Sequence, residues 1–195
     1  MSNLRELTKE EHRRAERTAF MNRMLKKQIT PYQYYVYLSN QLYVYIALEY
    51  CAAEVDIFGE NLDRIMRAPA LLNDVMDMET KNGFKDAPIM PGSNDYVNHI
   101  KAIAQDKEKL IAHMYVRHMG DLSGGQIIKK LVPGPTLFYE FEGDVDELKT
   151  IIRSSIHDGL EKEAKVCFNM VQKILEELEE YFGAMELADS AVKQD

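Results

Sequence analysis

Cysteine is scarce in this sequence, and an excess of basic charge is missing. The 195 residues include only two cysteines, Cys51 and Cys167, which are far apart and match no metal-ligand spacing. Two such cysteines cannot build a disulfide framework and are typical of a reducing compartment. Acidic residues outnumber basic ones by 32 to 24, which gives a net charge of −8. The composition therefore excludes a disulfide-stapled scaffold and argues against non-specific nucleic-acid binding, which needs a basic footprint.

Long hydrophobic runs are also missing. No apolar stretch approaches the roughly 18 residues of a membrane span, and the first residues show no apolar signal-peptide core. We therefore expect a cytoplasmic protein without a membrane anchor. The length suits one domain, and no repeat or linker divides it. We expect this domain to cover residues 1–183, with a polar, disordered tail over residues 184–195.

What the sequence does contain is the periodicity of α-helices. Apolar residues recur with the helical period along almost the whole chain, and no segment alternates as a strand does. Thr30-Pro31 is a clear start signal, a capping residue followed by proline at the first helical position. The pattern predicts one all-α domain of seven or eight helices. The predicted helices include 2–18, 31–59, 93–105, 110–131, 144–158 and 160–182, with loops at 83–92 and 134–143.

Three glycines lie inside one of these helical patterns, at Gly120, Gly124 and Gly125. Each glycine in a helix costs about 1 kcal/mol relative to alanine, so three cost about 3 kcal/mol. Because residues four apart share a helix face, Gly120 and Gly124 predict a stripe without side chains. Such a stripe permits tight helix packing, a kink, or a flat ligand pressed against the backbone. Asp121 and Ser123 supply polar groups beside it, and an acid there can hold ordered water.

His12 is the second candidate feature, because charged groups surround it. At 100° per residue, Arg5, Lys9 and Glu16 fall within roughly 60° of His12 on the helix. An imidazole can ligate haem iron, the cations can pair with its propionates, and the carboxylate can orient the imidazole. The alternative is an exposed helix with ordinary charge pairing between successive turns. One axial histidine opposite a bare stripe leaves the sixth iron position open, which suits O₂ chemistry.

The sequence around these features resembles the haem oxygenase family. The run from Tyr115 to Gln126, YVRHMGDLSGGQ, is similar to the distal-helix signature of that family, and Thr8 to Glu16 is similar to its proximal helix. Residues 42–49, 149–153 and 168–169 also match, so the resemblance covers about residues 4–180. The family's hydrophobic C-terminal tail, found in animal membrane-bound members, is missing here, which points to a soluble, bacterial-type member.

The resemblance implies a fold and a role for each matching residue. Haem is expected to lie between a proximal helix and a kinked, glycine-rich distal helix. His12 is expected to be the axial iron ligand, and Asp121 to anchor distal water with Arg117 and Tyr45 as further catalytic residues. The residues expected to contact haem are Arg5, Lys9, Glu16, Tyr115, Gly120, Ser123, Gly124, Gly125, Lys149, Arg153 and Asn169. His118 departs from the tyrosine usual in the family, and its role stays open.

The resemblance also implies the reaction and its partners. Haem b is expected to be both substrate and cofactor, cleaved with O₂ and electrons to biliverdin, CO and Fe²⁺, with the α isomer favoured. Electrons are expected from an external reductase system: ferredoxin, flavodoxin or an NAD(P)H-dependent reductase. The chain is expected to act as a monomer, in iron acquisition or bilin supply. The alternative is a haem carrier without turnover; a carboxylate-bridged di-iron bundle is disfavoured because no Glu-x-x-His pair occurs.

Overall fold

The fold consists of helices alone in the computed structural model, which describes residues 2–192. Three short 3₁₀ turns accompany the helices, at Gly59–Asn61, Leu137–Tyr139 and Asp158–Leu160. The predicted all-α class is confirmed, with more and shorter helices than the sequence pattern suggests. The α-helices are α1 (Leu4–Leu7), α2 (Lys9–Glu16), α3 (Ala19–Leu25), α4 (Pro31–Glu54), α5 (Leu62–Ile65), α6 (Ala68–Asn82), α7 (Pro91–Ala102), α8 (Lys107–Ser123), α9 (Gly125–Ile128), α10 (Val145–Ser154) and α11 (Glu161–Val192).

Helix α4 begins where the sequence predicts and ends earlier. The Thr30 hydroxyl accepts a hydrogen bond from the Gln33 amide, and the Gln33 side chain accepts one from the Thr30 amide, forming a capping box. The predicted end at Gly59 is wrong, because the helix stops at Glu54. Asp56 and Phe58 adopt positive φ angles of 53° and 63°, which a right-handed helix cannot contain.

Three boundaries near the site also differ from the prediction. The first predicted helix is divided at Thr8, whose hydroxyl donates to the Leu4 carbonyl at 2.8 Å. The predicted distal helix is divided at Gly124, which joins α8 to α9. The last helix continues beyond Phe182, because Arg23 and Gln33 hold the Glu186 carboxylate from a neighbouring part of the fold. The segment 184–192, expected to be a disordered tail, is therefore helical, and residues 193–195 lie outside the described range.

Helix α6 is absent from the prediction, although its ends carry recognisable signals. Pro69 lies in its first turn, and Gly83 ends it with a φ of 69°. Glu49 accepts hydrogen bonds from the Arg67 and Ala68 amides at 2.6 and 2.9 Å, so a residue of α4 caps α6. This cap joins segments 18 residues apart, which local periodicity cannot show.

The core lies around α4 and α11, which cross the domain and contact most of the other helices. Helix α4 packs against α6, α7 and α8, and α11 packs against α2, α3, α7 and α8. The rings of Phe20 and Phe182 stack at a centroid distance of 6.0 Å where α3 meets α11. Because α11 supports both α2 and α8, it fixes the two predicted site helices relative to each other. Within residues 2–192, no helix is both long and apolar enough to cross a membrane.

Candidate active site

The glycine stripe on α8 presents bare backbone to the surface. A Cβ atom placed on Gly120 would meet no neighbouring atom within 4 Å. A Cβ atom on Gly124 would meet only the Gly120 carbonyl oxygen, at 3.5 Å. Both glycines are exposed, so tight helix packing does not account for them. A flat molecule can therefore approach the backbone along this stripe.

Gly125 has a different environment from the other two glycines. It is buried, and a Cβ atom there would lie 2.7 Å from Cδ1 of Tyr139. Its missing side chain makes room for the Tyr139 ring and does not extend the exposed stripe. The sequence pattern groups Gly125 with Gly120 and Gly124 because it cannot show which ring packs from the 137–139 turn.

Asp121 lies beside the stripe and is held by Tyr45 of α4. The Tyr45 hydroxyl donates a hydrogen bond to the Asp121 carboxylate at 2.5 Å. Burial raises the pKa of Asp121 above its ordinary value, while nearby His118 and Arg117 and the Tyr45 hydrogen bond oppose this. Burial also raises the pKa of Tyr45 well above its ordinary value, so its hydroxyl remains a donor. The pair places a fixed, partly desolvated acid next to the bare stripe.

Arg117 lies under this pair. Its guanidinium carbon is 4.8 Å from the centre of the Tyr45 ring, and its Nη2 donates to the Gln41 side chain. Its Nε is buried and has no hydrogen-bond partner among the described residues. An unpaired buried donor on a cation is costly, so this nitrogen is a natural partner for water or another acceptor next to Asp121.

His118 points away from the stripe and into the protein. Its Nε2 lies 2.9 Å from the Glu49 carboxylate and its Nδ1 lies 3.1 Å from the Met114 carbonyl oxygen. Both ring nitrogens therefore lie within hydrogen-bond distance of an oxygen atom, and the ring is held at both edges. The ring is fully buried and its centre is 5.2 Å from that of Tyr45. His118 is therefore unable to compete for iron, and it supports the Tyr45–Asp121 pair from behind.

Removing this histidine is expected to be costly, since the buried Glu49 carboxylate is then left with the Arg67 and Ala68 amides and loses its side-chain partner. We expect His118→Phe to lower the free energy of unfolding by about 3 kcal/mol or more. His157→Ala is the control, because it removes an exposed histidine that also pairs with a glutamate, and we expect less than about 1 kcal/mol. Urea denaturation measures both; equal small losses would show that the His118–Glu49 pair contributes nothing special.

His12 lies on α2 with one nitrogen engaged and the ring half exposed. Its Nδ1 is 3.3 Å from the Glu16 carboxylate, and 52% of its side chain is accessible. The Phe168 ring from α11 meets the imidazole edge-on at a centroid distance of 5.5 Å. No described residue accepts from or donates to Nε2, so this nitrogen can bind a metal while Glu16 fixes the ring.

The expected cationic residues divide into two groups. Arg5 and Arg153 both lie near Tyr115, because their charges lower the pKa of its hydroxyl while burial raises it. Neither arginine pairs with a carboxylate among the described residues, so both are available to an anionic ligand. Lys9 pairs with Glu6 at 2.7 Å, and Lys149 pairs with Asp146 at 3.3 Å. These lysines must exchange partners to reach a ligand.

The other predicted residues are placed less tightly. Ser123 is exposed beside Gly124, and Asn169 is exposed on α11; neither forms a side-chain hydrogen bond with a described residue. Gln41, Glu49 and Phe168 are not among the site residues predicted from the sequence. The first two form, with Tyr45, a stripe of buried polar residues four apart on α4. This spacing is visible in the sequence and could have identified the partners of α8.

Known proteins resemble this chain over most of its length. Residues 1–177 match the family model described as Heme oxygenase. Heme oxygenase 1 of the cyanobacterium Synechocystis is 31% identical, over 91% of this chain and 84% of its own length. Heme oxygenase of Guillardia theta is 32% identical, over 90% of this chain and 84% of its own length.

Solved structures extend the likeness to the fold. The crystal structure of Synechocystis heme oxygenase-1 in complex with heme has a TM-score of 0.80 at 28% identity, covering 95% of this chain and 96% of that one. The heme oxygenase of Leptospira interrogans has a TM-score of 0.78 at 31% identity, covering 89% and 97%. The family match spans most of the sequence and the structural likeness covers most of the fold, so this chain belongs to the haem oxygenase family.

Proposed function

We propose that the chain holds haem between α2 and α8 and cleaves it oxidatively there. The activity follows from the family: haem, O₂ and electrons yield biliverdin, CO and Fe²⁺. The observation that carries the placement is the bare surface at Gly120 and Gly124, where a Cβ atom at either position would meet no side chain. Haem, when bound, supplies both the iron that activates O₂ and the carbon skeleton that is oxidised.

The donor set fits haem on both faces. His12 would hold the haem iron through Nε2, and the Glu16 carboxylate next to Nδ1 orients the imidazole. Arg5 and Arg153 near Tyr115 offer charge to the two propionates. On the opposite face, the backbone at Gly120 and Gly124 allows close approach, and Ser123 borders it. Lys9, Lys149 and Asn169 are proposed as peripheral contacts on the strength of the sequence motif alone.

Asp121 is proposed to control protons on the distal side. Tyr45 fixes the carboxylate by its hydrogen bond, and burial makes the carboxyl group a weaker acid than in water. A carboxyl group of raised pKa can hold an ordered water and pass a proton through it at near-neutral pH. Arg117 and His118 oppose this rise in the pKa of Asp121. The chain thus supplies orientation, close approach and a proton path.

The role of the glycine stripe in haem binding can be tested separately from its effect on folding stability. We expect Gly120→Leu to fold normally, because the added side chain has open space and a helical glycine is itself unfavourable. The same change is expected to weaken haem binding about tenfold or more, since the leucine side chain occupies the surface that haem approaches.

Gly125→Ala is expected to have the opposite pattern, a loss of stability. The added methyl group contacts Tyr139, which is expected to lower the free energy of unfolding by about 1–3 kcal/mol. Haem titration and urea denaturation separate the two, and unweakened haem binding by Gly120→Leu would contradict the placement.

We further propose the finer properties that the family resemblance favours. These are attack at the α-meso carbon, electron supply by ferredoxin, flavodoxin or an NAD(P)H-dependent reductase, a monomeric state, and action in the cytoplasm. Chromatography of the bilin formed from haemin, O₂ and each candidate donor tests the first two. We expect biliverdin IXα as the main isomer; another isomer would overturn the regiochemistry alone. Haem that binds but persists with every donor would favour the carrier alternative.

A further inference from the structure

Two histidines and a glutamate converge at a second place in the fold, away from the stripe. His99 of α7, His113 of α8 and Glu163 of α11 each point one ligand atom to a common region, and these atoms lie within 4.8 Å of one another. Glu163 Oε1 is 2.5 Å from His99 Nε2 and 3.0 Å from His113 Nε2. None of the three belongs to the residues proposed to hold haem. Three helices therefore bring together the donor set of two imidazoles and one carboxylate.

The separations suit a small metal ion. Bonds of about 2.0–2.2 Å to nitrogen and oxygen, in tetrahedral geometry, place neighbouring ligand atoms about 3.3–3.5 Å apart. The two observed separations are shorter by about 1 Å or less, so modest side-chain rotation makes room for an ion. Two imidazoles and one carboxylate with further positions open are typical of non-haem Fe²⁺ sites, and Zn²⁺ accepts the same donors.

The surroundings orient the ligands as metal sites do. His113 is fully buried, and its Nδ1 lies 2.8 Å from the Tyr96 hydroxyl, which lies 2.9 Å from Cys167 Sγ. With Nδ1 donating to Tyr96 and Tyr96 donating to Cys167, Nε2 of His113 keeps a lone pair for an ion. His99 is 25% accessible at the other edge, which gives an ion a route in from solvent.

We propose that His99, His113 and Glu163 form a binding site for a divalent transition metal ion, Zn²⁺ or Fe²⁺. The site is separate from the iron of haem, since His113 precedes Asp121 by eight residues, about 12 Å along α8. It shares α8 with the haem site, and haem cleavage releases one of the two ions that it fits. The metal site itself does not depend on the haem assignments, because its ligands are different residues.

Zinc titration of the haem-free chain tests this proposal. We expect one equivalent of Zn²⁺ to remain after dialysis, measured by elemental analysis, and Co²⁺ to give visible absorption bands of a bound ion. His99→Ala and Glu163→Gln are expected to lose the equivalent. His12→Ala and His157→Ala are the controls and should keep it, because they remove histidines outside the cluster. Tyr96→Phe is expected to weaken binding about 10–100-fold through the lost support of His113.

Two further measurements keep the outcome unambiguous. Circular dichroism shows whether each variant folds. If Glu163→Gln does not fold, the test rests on His99→Ala, because His99 is partly exposed and its removal disturbs the core less. Haem turnover by His99→Ala should equal that of the wild type, so failure of the metal proposal is distinguishable from failure of the haem assignments. Wild-type protein that retains no more Zn²⁺ than His99→Ala would overturn the proposal. So would an equivalent that disappears only with His12→Ala.

Discussion

Asp121→Ala is expected to leave haem bound while biliverdin formation falls about 100-fold or more. The carboxylate is not among the proposed haem contacts, and the Gly120–Gly124 surface remains after the substitution, so the affinity for haem should change little. The loss arises because the distal side no longer has the acid that Tyr45 fixes at 2.5 Å. We expect the Asp121→Ala variant to oxidise added reductants in a peroxidase-like reaction instead of the porphyrin ring. Single-turnover spectra with haemin, ascorbate and air measure the yield of bilin directly.

Two matched variants locate the effect. Asp121→Asn keeps the shape and removes the acid, so we expect nearly the loss seen with alanine. Tyr45→Phe keeps the acid and removes its anchor, so we expect an intermediate yield. A normal biliverdin yield from Asp121→Ala would show that protons reach the site by another route. A loss of haem affinity in Asp121→Ala would instead mean that the carboxylate helps to hold the ligand.

His12→Ala is expected to have the second large effect, on the iron itself. The substitution removes the only imidazole on α2, and the histidine-ligated haem spectrum should disappear. Even loss of a supporting contact to a metal ligand costs about 10–100-fold, so loss of the ligand should reduce turnover by more than about 100-fold. Added imidazole should restore part of the spectrum, because it can occupy the space that the side chain vacates.

The control for this variant is Glu16→Gln, which keeps a hydrogen-bond acceptor next to Nδ1 and removes its charge. We expect the histidine spectrum to persist with turnover reduced by about tenfold or more, since the imidazole becomes a weaker donor to iron. An unchanged spectrum in His12→Ala would mean that a different residue ligates the iron. His118 does not fit that role, because both of its ring nitrogens are buried and lie against Met114 and Glu49.

The sequence predicts the parts of the site whose signals are local. Gly120 and Gly124 are recognisable because glycine inside a helical period is costly, and the structure shows why it is tolerated there. The start of α4 is equally local, because the cap and the proline are adjacent residues. Tyr45 and Asp121 are paired by resemblance to a family, and the structure brings their side chains into contact.

The parts that the sequence does not predict depend on distant contacts. His118 contacts Glu49, which lies 69 residues earlier in the chain, and Gly125 contacts Tyr139 only when the 133–139 segment folds over it. Helix α6 is capped by a glutamate on α4, so its beginning is a tertiary feature. The final helix extends to Val192 because Glu186 is held by Arg23, far away in the chain. In each instance a charged pair, a capping carboxylate or a close ring from a distant part of the chain decides the structure, and the helical periodicity of the sequence does not show these contacts.

The most direct test of the account is a crystal structure of the chain with haem. We predict a bond from His12 Nε2 to iron, the Gly120 and Gly124 backbone against the opposite face, and the propionates directed to Arg5 and Arg153. Iron ligated by any other residue, or haem bound away from the Gly120–Gly124 stripe, would contradict the central claim.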